Sequence, residues 1–137
     1  MKQVAKVLIM DHEGYYLLMK RADHPTFLND PDLPGGTIDE GEEPLEAAVR
    51  EVMEEAGILL NAADIQHVYT GDEYSAHGTE YSLYEVRITE RPAVTISWEH
   101  GSFAWVDREE LLGQAREAND TYMHMVHDIV KGTTKLT

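Results

Sequence analysis

The sequence predicts an α/β fold in which a mixed β-sheet is covered by helices on both sides. Three observations support this fold class. Short apolar runs with strand-like alternation recur along the chain, and amphipathic helical segments lie between and after them. The chain has 137 residues without a low-complexity tract, linker or internal repeat. That length suits one domain with a sizeable core, and we therefore expect a single domain over residues 1–137.

Two apolar runs near the N-terminus predict a β-hairpin. Residues 4–10 and 15–20 are strand-like, and the segment Asp11-His12-Glu13-Gly14 between them reads as a turn. A loop over residues 23–31 and the turn Leu33-Pro34-Gly35-Gly36 follow. After the hairpin, this loop and this turn are expected to lead into an acidic helix.

The acidic helix has clear start and stop signals. Pro44 falls at the first helical turn, where the missing backbone N–H is tolerated, and Gly57 is a typical C-cap residue. At about 100° per residue, the apolar residues fall on one stripe. These residues are Leu45, Ala48, Val49, Val52 and Ala56. That stripe is predicted to be buried.

The C-terminal half continues the alternation of strands and helices. Three apolar runs predict strands at residues 65–70, 81–88 and 103–106. Asp107 is predicted to cap the next helix, with Glu110 completing a capping box, and Asn119 or Asp120 to cap the last helix. The last helix carries an apolar face at i, i+3, i+4, i+7 and i+8: Tyr122, Met125, Val126, Ile129 and Val130.

Three carboxylates on the acidic helix form the strongest chemical signal. Glu51, Glu54 and Glu55 stand at i, i+3 and i+4, which places them on one side of a helix. A hard cation such as Mg²⁺ would relieve their mutual repulsion, because it prefers oxygen ligands. Arg50 lies four residues before Glu54 and can hold that carboxylate in place. A solvated acidic helix face would show the same spacing, so the helix alone does not decide between the two interpretations.

The residues around the helix favour the metal site. Gly36 is followed after five residues by Glu42, and after seven more by the segment 50–58, which reads REVMEEAGI. This pattern resembles the signature box of the Nudix hydrolase family at every specified position, including the apolar positions Val52 and Ile58. A chance match somewhere in the chain is on the order of one in a million.

The resemblance implies a Nudix-type α/β/α sandwich with a mixed β-sheet and assigns roles to the box residues. It implies three side-chain metal ligands and one backbone ligand: Glu51, Glu54, Glu55 and the carbonyl of Gly35 or Gly36. It also implies that Glu42 and Arg50 orient the ligand glutamates. The implied cofactor is Mg²⁺, with Mn²⁺ as an alternative.

The flanking segments are similar to those of the MutT-like group. Residues 16–21 resemble the strand before the box and end in Arg21. Arg21 is our candidate for contact with the phosphate chain or base, together with Gly35 and Gly36. Glu99 occupies a loop where some members supply another carboxylate. His100 beside it could shuttle a proton, although we interpret it as a bystander. An aromatic residue that is common before the Leu-Pro-Gly-Gly turn is absent, and Asp32 stands there.

The resemblance implies metal-assisted hydrolysis of a diphosphate linkage. The metal would lower the pKa of the attacking water and stabilise charge on the bridging oxygen. A carboxylate would take the proton, with Glu54 as the first choice and Glu99 as the second. The leading substrate class is a nucleoside triphosphate, cleaved to a nucleoside phosphate and pyrophosphate. A nucleotide sugar, ADP-ribose or a dinucleoside polyphosphate is the alternative, and a non-catalytic nucleotide sensor is an alternative of another class.

The amino-acid composition limits the classes of molecule that the chain is expected to bind. The chain has 11 basic and 26 acidic side chains and a net charge of −15, which opposes binding of a long polyanion. We therefore expect a small-molecule nucleoside diphosphate derivative as the partner, and neither nucleic acid nor membrane. The apolar run near the N-terminus is too short for a membrane helix, and the absence of cysteine is compatible with a reducing cytoplasm. A homodimer is an open alternative, because relatives frequently form one.

Overall fold

The computed structural model of the chain describes residues 1–22, 25–75 and 77–133, so residues 23 and 24 of the predicted loop lie outside it. Its strands are β1 (Gln3–Met10), β2 (Tyr16–Arg21), β3 (Pro31–Asp32), β4 (Gly35–Thr37), β5 (Gln66–Gly71), β6 (Glu80–Arg87) and β7 (His100–Val106). Its helices are α1 (Pro44–Ala56), α2 (Arg108–Glu117) and α3 (Tyr122–Thr133). The predicted alternation of strands and helices is confirmed.

The strands form a mixed sheet in the order β3-β2-β1-β6-β5, with β4 beside β1 and β7 beside β2. The strands β1 and β6 pair in parallel, and the other pairs are antiparallel. Lys6 of β1 lies between Leu83 of β6 and Gly35 of β4. The centre of the sheet therefore brings β1 against the segment that precedes α1.

Helix α1 covers one face of this sheet. Its buried residues Ala47, Ala48, Val52 and Ala56 share a hydrophobic cluster with Ala5, Val7, Ile9 and Leu17 of the first two strands. The helix ends where Gly57 adopts φ 69° and donates its N–H to the carbonyl of Met53 at 3.0 Å. The predicted stripe and C-cap are confirmed, with Leu45 and Val49 only partly buried.

Helices α2 and α3 cover the opposite face. The predicted apolar face of α3 packs there with Leu8, Leu18 and Leu83 of the sheet. The Asp107 carboxylate caps α2 by accepting the N–H of Glu110 at 2.8 Å. One helix on one face and two on the other give the predicted α/β/α arrangement. Within the described residues, no helix combines the length and the apolar character that crossing a membrane requires.

The structure differs from the sequence prediction around the glycine turn. Residues 35–37 form the short strand β4 and pair with β1, and β7 begins at His100 rather than at Phe103. Gly35 has φ +135°, and a Cβ there would overlap the carbonyl oxygen of Ala5. Only glycine therefore allows this backbone to approach β1 so closely.

Candidate active site

A cavity of about 540 Å³ opens beside the N-terminal half of β1, where β4 and α1 meet. Six of the residues singled out in the sequence line it: Arg21, Gly35, Gly36, Glu51, Glu55 and Glu99. Glu42, Arg50 and Glu54 are not among its lining residues. The structure thus divides the candidate residues into a cavity-lining group and a group behind it on α1 and the preceding loop.

Glu51 lies directly against Gly36. A Cβ built on Gly36 would stand 2.5 Å from Glu51 Oε2, so any side chain at this position would displace the carboxylate. Burial raises the pKa of Glu51, against the stabilising charge of Arg50. The carboxylate therefore occupies a poorly hydrated position in which a further cation would stabilise its charged form.

Glu55 is the most deeply buried of the three cavity-lining glutamates, with 4% of its surface exposed. Its Oε1 accepts the backbone N–H of Gly35 at 3.1 Å. Burial raises its pKa to about 7, and the nearby Lys6 opposes this rise. Asp32 and Glu99 raise the pKa further, while His100 opposes them.

Arg50 connects the glutamates of α1 to the preceding loop. Its guanidinium donates to both carboxylate oxygens of Glu42, at 2.8 and 2.9 Å, and to Glu51 at 2.8 Å. It also reaches Glu54 at 3.2 Å and Asp39 at 3.4 Å. Its hydrogen bonds lower the pKa of Glu42 to about 2. Arg50 is thus placed to orient these acids.

The three glutamates of the predicted metal site do not converge. Their side chains differ in exposure: Glu54 is 57% exposed, whereas Glu51 is 16% and Glu55 6% exposed. Within the described residues, the trio does not form a group whose ligand atoms all lie within 4.8 Å of one another. An ion held by all three would require Glu54 to turn away from Arg50.

A buried polar cluster beside the cavity was not predicted from the sequence. Asp32 is its centre, and its Oδ1 accepts from Lys6 Nζ at 3.0 Å and from the Tyr122 hydroxyl. Its Oδ2 pairs with His100 Nε2 at 3.0 Å, and Arg21 lies 3.6 Å from Oδ1. Burial alone would raise the pKa of Asp32, but Lys6, His100 and Arg21 hold it well below its usual range.

Two departures in the sequence could have signalled this cluster. Lys6 interrupts the apolar run of residues 4–10, in the middle of a strand whose residues 4, 5 and 7–9 are buried in the core. Asp32 stands where an aromatic residue was expected. A buried lysine is rare unless it is paired, and a buried aspartate likewise. Each residue therefore predicts a partner, although the sequence does not say which one.

Lys6 also contacts the glycine turn. Its ammonium donates to the carbonyl oxygens of Leu33 at 3.1 Å and of Gly35 at 3.2 Å. The Gly35 carbonyl is one of the candidate metal ligands, and a carbonyl oxygen has two lone pairs. This oxygen can therefore accept from Lys6 and still face a cation on its other side.

Arg21 places a positive charge on the cavity wall. Its guanidinium pairs with Asp120 at 3.0 Å, and its side chain is 14% exposed. Burial works against its charge, but Asp32, Tyr122 and Asp120 outweigh that effect and raise the pKa of Arg21. Arg21 therefore stays charged beside the space that a substrate would fill.

The donor set fits a hard divalent cation. Glu51 and Glu55 supply carboxylate oxygens, and Gly35 supplies a carbonyl oxygen beside them. The absence of a Cβ at Gly36 leaves room for the Glu51 carboxylate, which Arg50 holds in place. Oxygen ligands of this kind suit Mg²⁺, which keeps several waters for exchange with substrate phosphates.

The raised pKa of Glu55 predicts a pH-dependent stability in the metal-free protein. The ordinary pKa is 4.5 and the folded value is about 7, so the unfolded chain releases this proton first as the pH rises. The free energy of unfolding should therefore fall between pH 4.5 and 7, by roughly 3 kcal/mol. Lys6, Asp32, His100 and Glu99 face this carboxyl and set the size of the effect. Urea unfolding in EDTA at a series of pH values measures it.

The matched variant for that experiment is Glu55→Gln, which keeps an oxygen for the Gly35 N–H. Its stability should lack this component of the pH dependence, because the amide does not titrate. The difference between the two curves isolates the contribution of Glu55 from that of every other group in the protein. Parallel curves for the two proteins would contradict the assignment.

Comparison with known proteins gives a consistent result. The family model described as the NUDIX domain matches residues 2–128. The chain is 40% identical over 96 residues to the "Putative 8-oxo-dGTP diphosphatase" of Bacillus subtilis, which covers 57% of this chain and 60% of that relative. It is 33% identical over 113 residues to nucleoside triphosphatase NudI of Salmonella agona, covering 75% and 80% of the two chains.

More distant relatives carry other names. An RNA pyrophosphohydrolase of Cereibacter sphaeroides is 30% identical over 128 residues, covering 77% of this chain and 75% of the relative. An ADP-ribose pyrophosphatase of Methanocaldococcus jannaschii is 33% identical over 75 residues, covering 55% and 44%. The sequence neighbours therefore share diphosphate chemistry in their names and differ in the group attached to it.

Solved structures support the fold. The MutT protein of Methanosarcina mazei superimposes with a TM-score of 0.71 at 24% identity, covering 98% of this chain and 93% of that one. The NUDIX domain of Shewanella oneidensis NrtR, crystallised with ADP-ribose, gives a TM-score of 0.75 at 19% identity, covering 98% and 88%. At these identities the likeness concerns the architecture.

Proposed function

The chain belongs to the NUDIX hydrolase family, and on that premise we propose that it cleaves the diphosphate linkage of a nucleoside diphosphate joined to another group, with a divalent cation as cofactor. Hydrolysis of acid anhydrides is the activity that its relatives' names share. We further propose that residues 1–137 act as one domain in the cytoplasm.

One observation carries this proposal more than any other. Two poorly hydrated carboxylates, Glu51 and Glu55, line the same cavity as the charged Arg21. Neighbouring acids in such a position need a cation, and a guanidinium on the same wall suits a phosphate group. A cation site and a phosphate contact that share one cavity are what hydrolysis of a diphosphate requires.

The residues of the box have distinct proposed roles. Glu51, Glu55 and the Gly35 carbonyl would hold the cation, and Glu54 would join them by leaving Arg50. Arg50 and Glu42 would orient the ligand glutamates through the hydrogen bonds between them. A divalent cation supplies charge neutralisation of the diphosphate and activation of the attacking water. Arg21, with the backbone of Gly35 and Gly36, would contact the phosphate chain.

The general base is proposed to be Glu99 or Glu54. Glu99 lines the cavity and is close enough to Glu51 and Glu55 to raise the pKa of both. Glu54 was the first choice from the sequence, but it lies outside the lining residues and contacts Arg50. The lining of the cavity therefore favours Glu99, since a base must come within hydrogen-bond reach of the water.

A nucleoside triphosphate is the leading proposed substrate. Two relatives with 40% and 33% identity are named for triphosphate or 8-oxo-dGTP hydrolysis. ADP-ribose, nucleotide sugars and dinucleoside polyphosphates remain the alternatives. The net charge of −15 opposes a long polyanion, so we propose a small nucleotide rather than an RNA 5′ end as the substrate.

A substrate screen tests the proposal. Purified protein with Mg²⁺ or Mn²⁺ is offered canonical and oxidised nucleoside triphosphates, ADP-ribose, nucleotide sugars, dinucleoside polyphosphates and 5′-triphosphate RNA. Released phosphate or pyrophosphate is measured after coupling. We expect turnover of a free nucleotide to exceed that of the RNA. Absence of hydrolysis of every diphosphate linkage would sink the enzymatic proposal.

The same assay distinguishes the two candidate bases. We expect Glu99→Gln to lower kcat by about 100-fold or more, within the range that positioned acids and bases contribute. Glu54→Gln would then lower kcat less and raise the cation concentration needed for half-maximal activity. The opposite ranking of the two variants would assign the base to Glu54.

A further inference from the structure

One buried nitrogen beside the cavity has no partner. Within the described residues, His100 Nδ1 is one of two buried side-chain atoms without a hydrogen bond, the other being Arg21 Nε. The His100 side chain is only 2% exposed. Leaving a buried polar atom unpaired is costly, and such an atom in a folded protein calls for an explanation.

The unpaired nitrogen is directed at a proposed metal ligand. His100 Nδ1 lies 3.7 Å from Glu55 Oε2. This separation is too long for a hydrogen bond. Two ligands that each lie about 2.1 Å from one ion are separated by about 3.0 Å at right angles and about 4.2 Å when opposite. The observed distance falls inside that range.

The other ring nitrogen is held as it is in known metal sites. His100 Nε2 pairs with Asp32 Oδ2 at 3.0 Å. Histidines that bind metals usually donate their second ring N–H to a carboxylate, which fixes the tautomer and the ring orientation. With Nε2 as the donor to Asp32, Nδ1 carries the free lone pair that a cation requires.

The contacts of Asp32 suit it to hold the His100 ring in place. Its Oδ1 accepts from Lys6 and from the Tyr122 hydroxyl, and its Oδ2 faces His100. Both carboxylate oxygens are therefore engaged, and the Lys6 ammonium balances the negative charge. Asp32, Glu55 and His100 form a group whose ligand atoms lie within 4.8 Å of one another. Within this group, Glu55 Oε2 and His100 Nδ1 face each other at 3.7 Å without a hydrogen bond between them.

We propose that His100 Nδ1 is a nitrogen ligand of the cation held by Glu55, with Asp32 as the residue that orients it. A mixed imidazole and carboxylate donor set binds divalent transition metals such as Mn²⁺, Co²⁺ and Zn²⁺ more readily than Mg²⁺. The site therefore prefers a transition-metal ion. This inference rests on the proposed function, because Glu55 is a ligand in both.

The test uses the variants His100→Gln and His12→Gln. Glutamine at position 100 can place its amide nitrogen near the position of Nε2 and keep the donor to Asp32, while it removes Nδ1. His12 is the matched control because it lies with Asp11 and Glu13 in the other group within the described residues that could hold a metal. Circular dichroism and thermal unfolding establish that both variants are folded.

Pulsed electron paramagnetic resonance of bound Mn²⁺ detects a nitrogen atom that is coordinated to the ion. We expect ¹⁴N coupling from one imidazole in the wild type and in His12→Gln, and its loss in His100→Gln. Titration should show a 10- to 100-fold rise in the Kd for Mn²⁺ in His100→Gln and a smaller change for Mg²⁺. Absence of ¹⁴N coupling in the wild type, or its survival in His100→Gln, would overturn the inference.

The same samples separate this inference from the proposed function. Hydrolysis without ¹⁴N coupling would refute the role of His100 and leave the hydrolase proposal intact. Coupling without hydrolysis of any diphosphate would support the metal ligand and count against the hydrolase. Loss of coupling in His12→Gln alone would assign the nitrogen to the group of Asp11, His12 and Glu13 and overturn the inference.

Discussion

Replacing Glu55 with glutamine is expected to lower kcat by at least about 100-fold while the protein stays folded. Glu55 lines the cavity, accepts the Gly35 N–H and is the buried carboxylate on which the proposed cation site depends. Loss of residues that merely support metal ligands typically lowers affinity or activity 10- to 100-fold. Loss of a ligand should therefore have at least that effect. Steady-state kinetics at saturating substrate and at several cation concentrations measure it.

The control for this variant is Glu117→Gln. Glu117 is an exposed residue of α2 that does not line the cavity, and this variant removes the same charge as Glu55→Gln. Its kcat should equal that of the wild type. Glu55→Gln should also need more cation for half-maximal activity, whereas a purely structural role would change stability without changing the cation requirement. Near-normal turnover in Glu55→Gln would remove Glu55 from the proposed site.

Replacing Lys6 with methionine is expected to lower the free energy of unfolding by about 3–5 kcal/mol. Lys6 and Asp32 form a buried ion pair, with side chains 7% and 6% exposed. Removing Lys6 leaves the buried Asp32 charge with only the more distant Arg21 guanidinium, at 3.6 Å, to balance it, and loss of one member of a buried pair is strongly destabilising. Methionine is long enough to fill much of the vacated space, so the charge rather than a cavity dominates the effect. Urea unfolding at pH 7 measures the change.

Two further variants identify the origin of that effect. Lys131→Met removes an exposed lysine of α3 and should change the stability little. Adding Asp32→Asn to Lys6→Met should recover part of the loss, because the unpaired negative charge is then absent. A loss below about 1 kcal/mol for Lys6→Met, or no recovery in the double variant, would show that the pair is not the main support of this cluster.

Short-range spacing explains how much of the molecule could be predicted. The buried stripe of α1, its C-cap at Gly57 and the box around Glu51 depend on residues that lie within a few turns of each other. Their consequences follow from helix geometry alone. The five longer strands were located for the same reason, with ends that differ from the prediction by at most three residues.

The polar cluster could not be predicted because its contacts are distant in sequence. Asp32 is 26 positions from Lys6, 68 from His100 and 90 from Tyr122. Only the pairing of β2 with β1, β3 and β7, and the packing of α3 on the sheet, bring these groups together. The sequence also placed Glu54 with Glu51 and Glu55 by helical spacing, but it could not show that Glu54 contacts Arg50 and lies outside the cavity wall.

The buried ammonium of Lys6 gives the cavity a positive charge that is part of the covalent chain. A chelator can remove a bound ion, but it cannot remove a side chain that is tied to Asp32 and to the carbonyls of Leu33 and Gly35. We therefore expect the glycine turn to keep its shape whether or not a metal ion is bound. We therefore expect the binding of an ion at this site to require little reorganisation of the backbone.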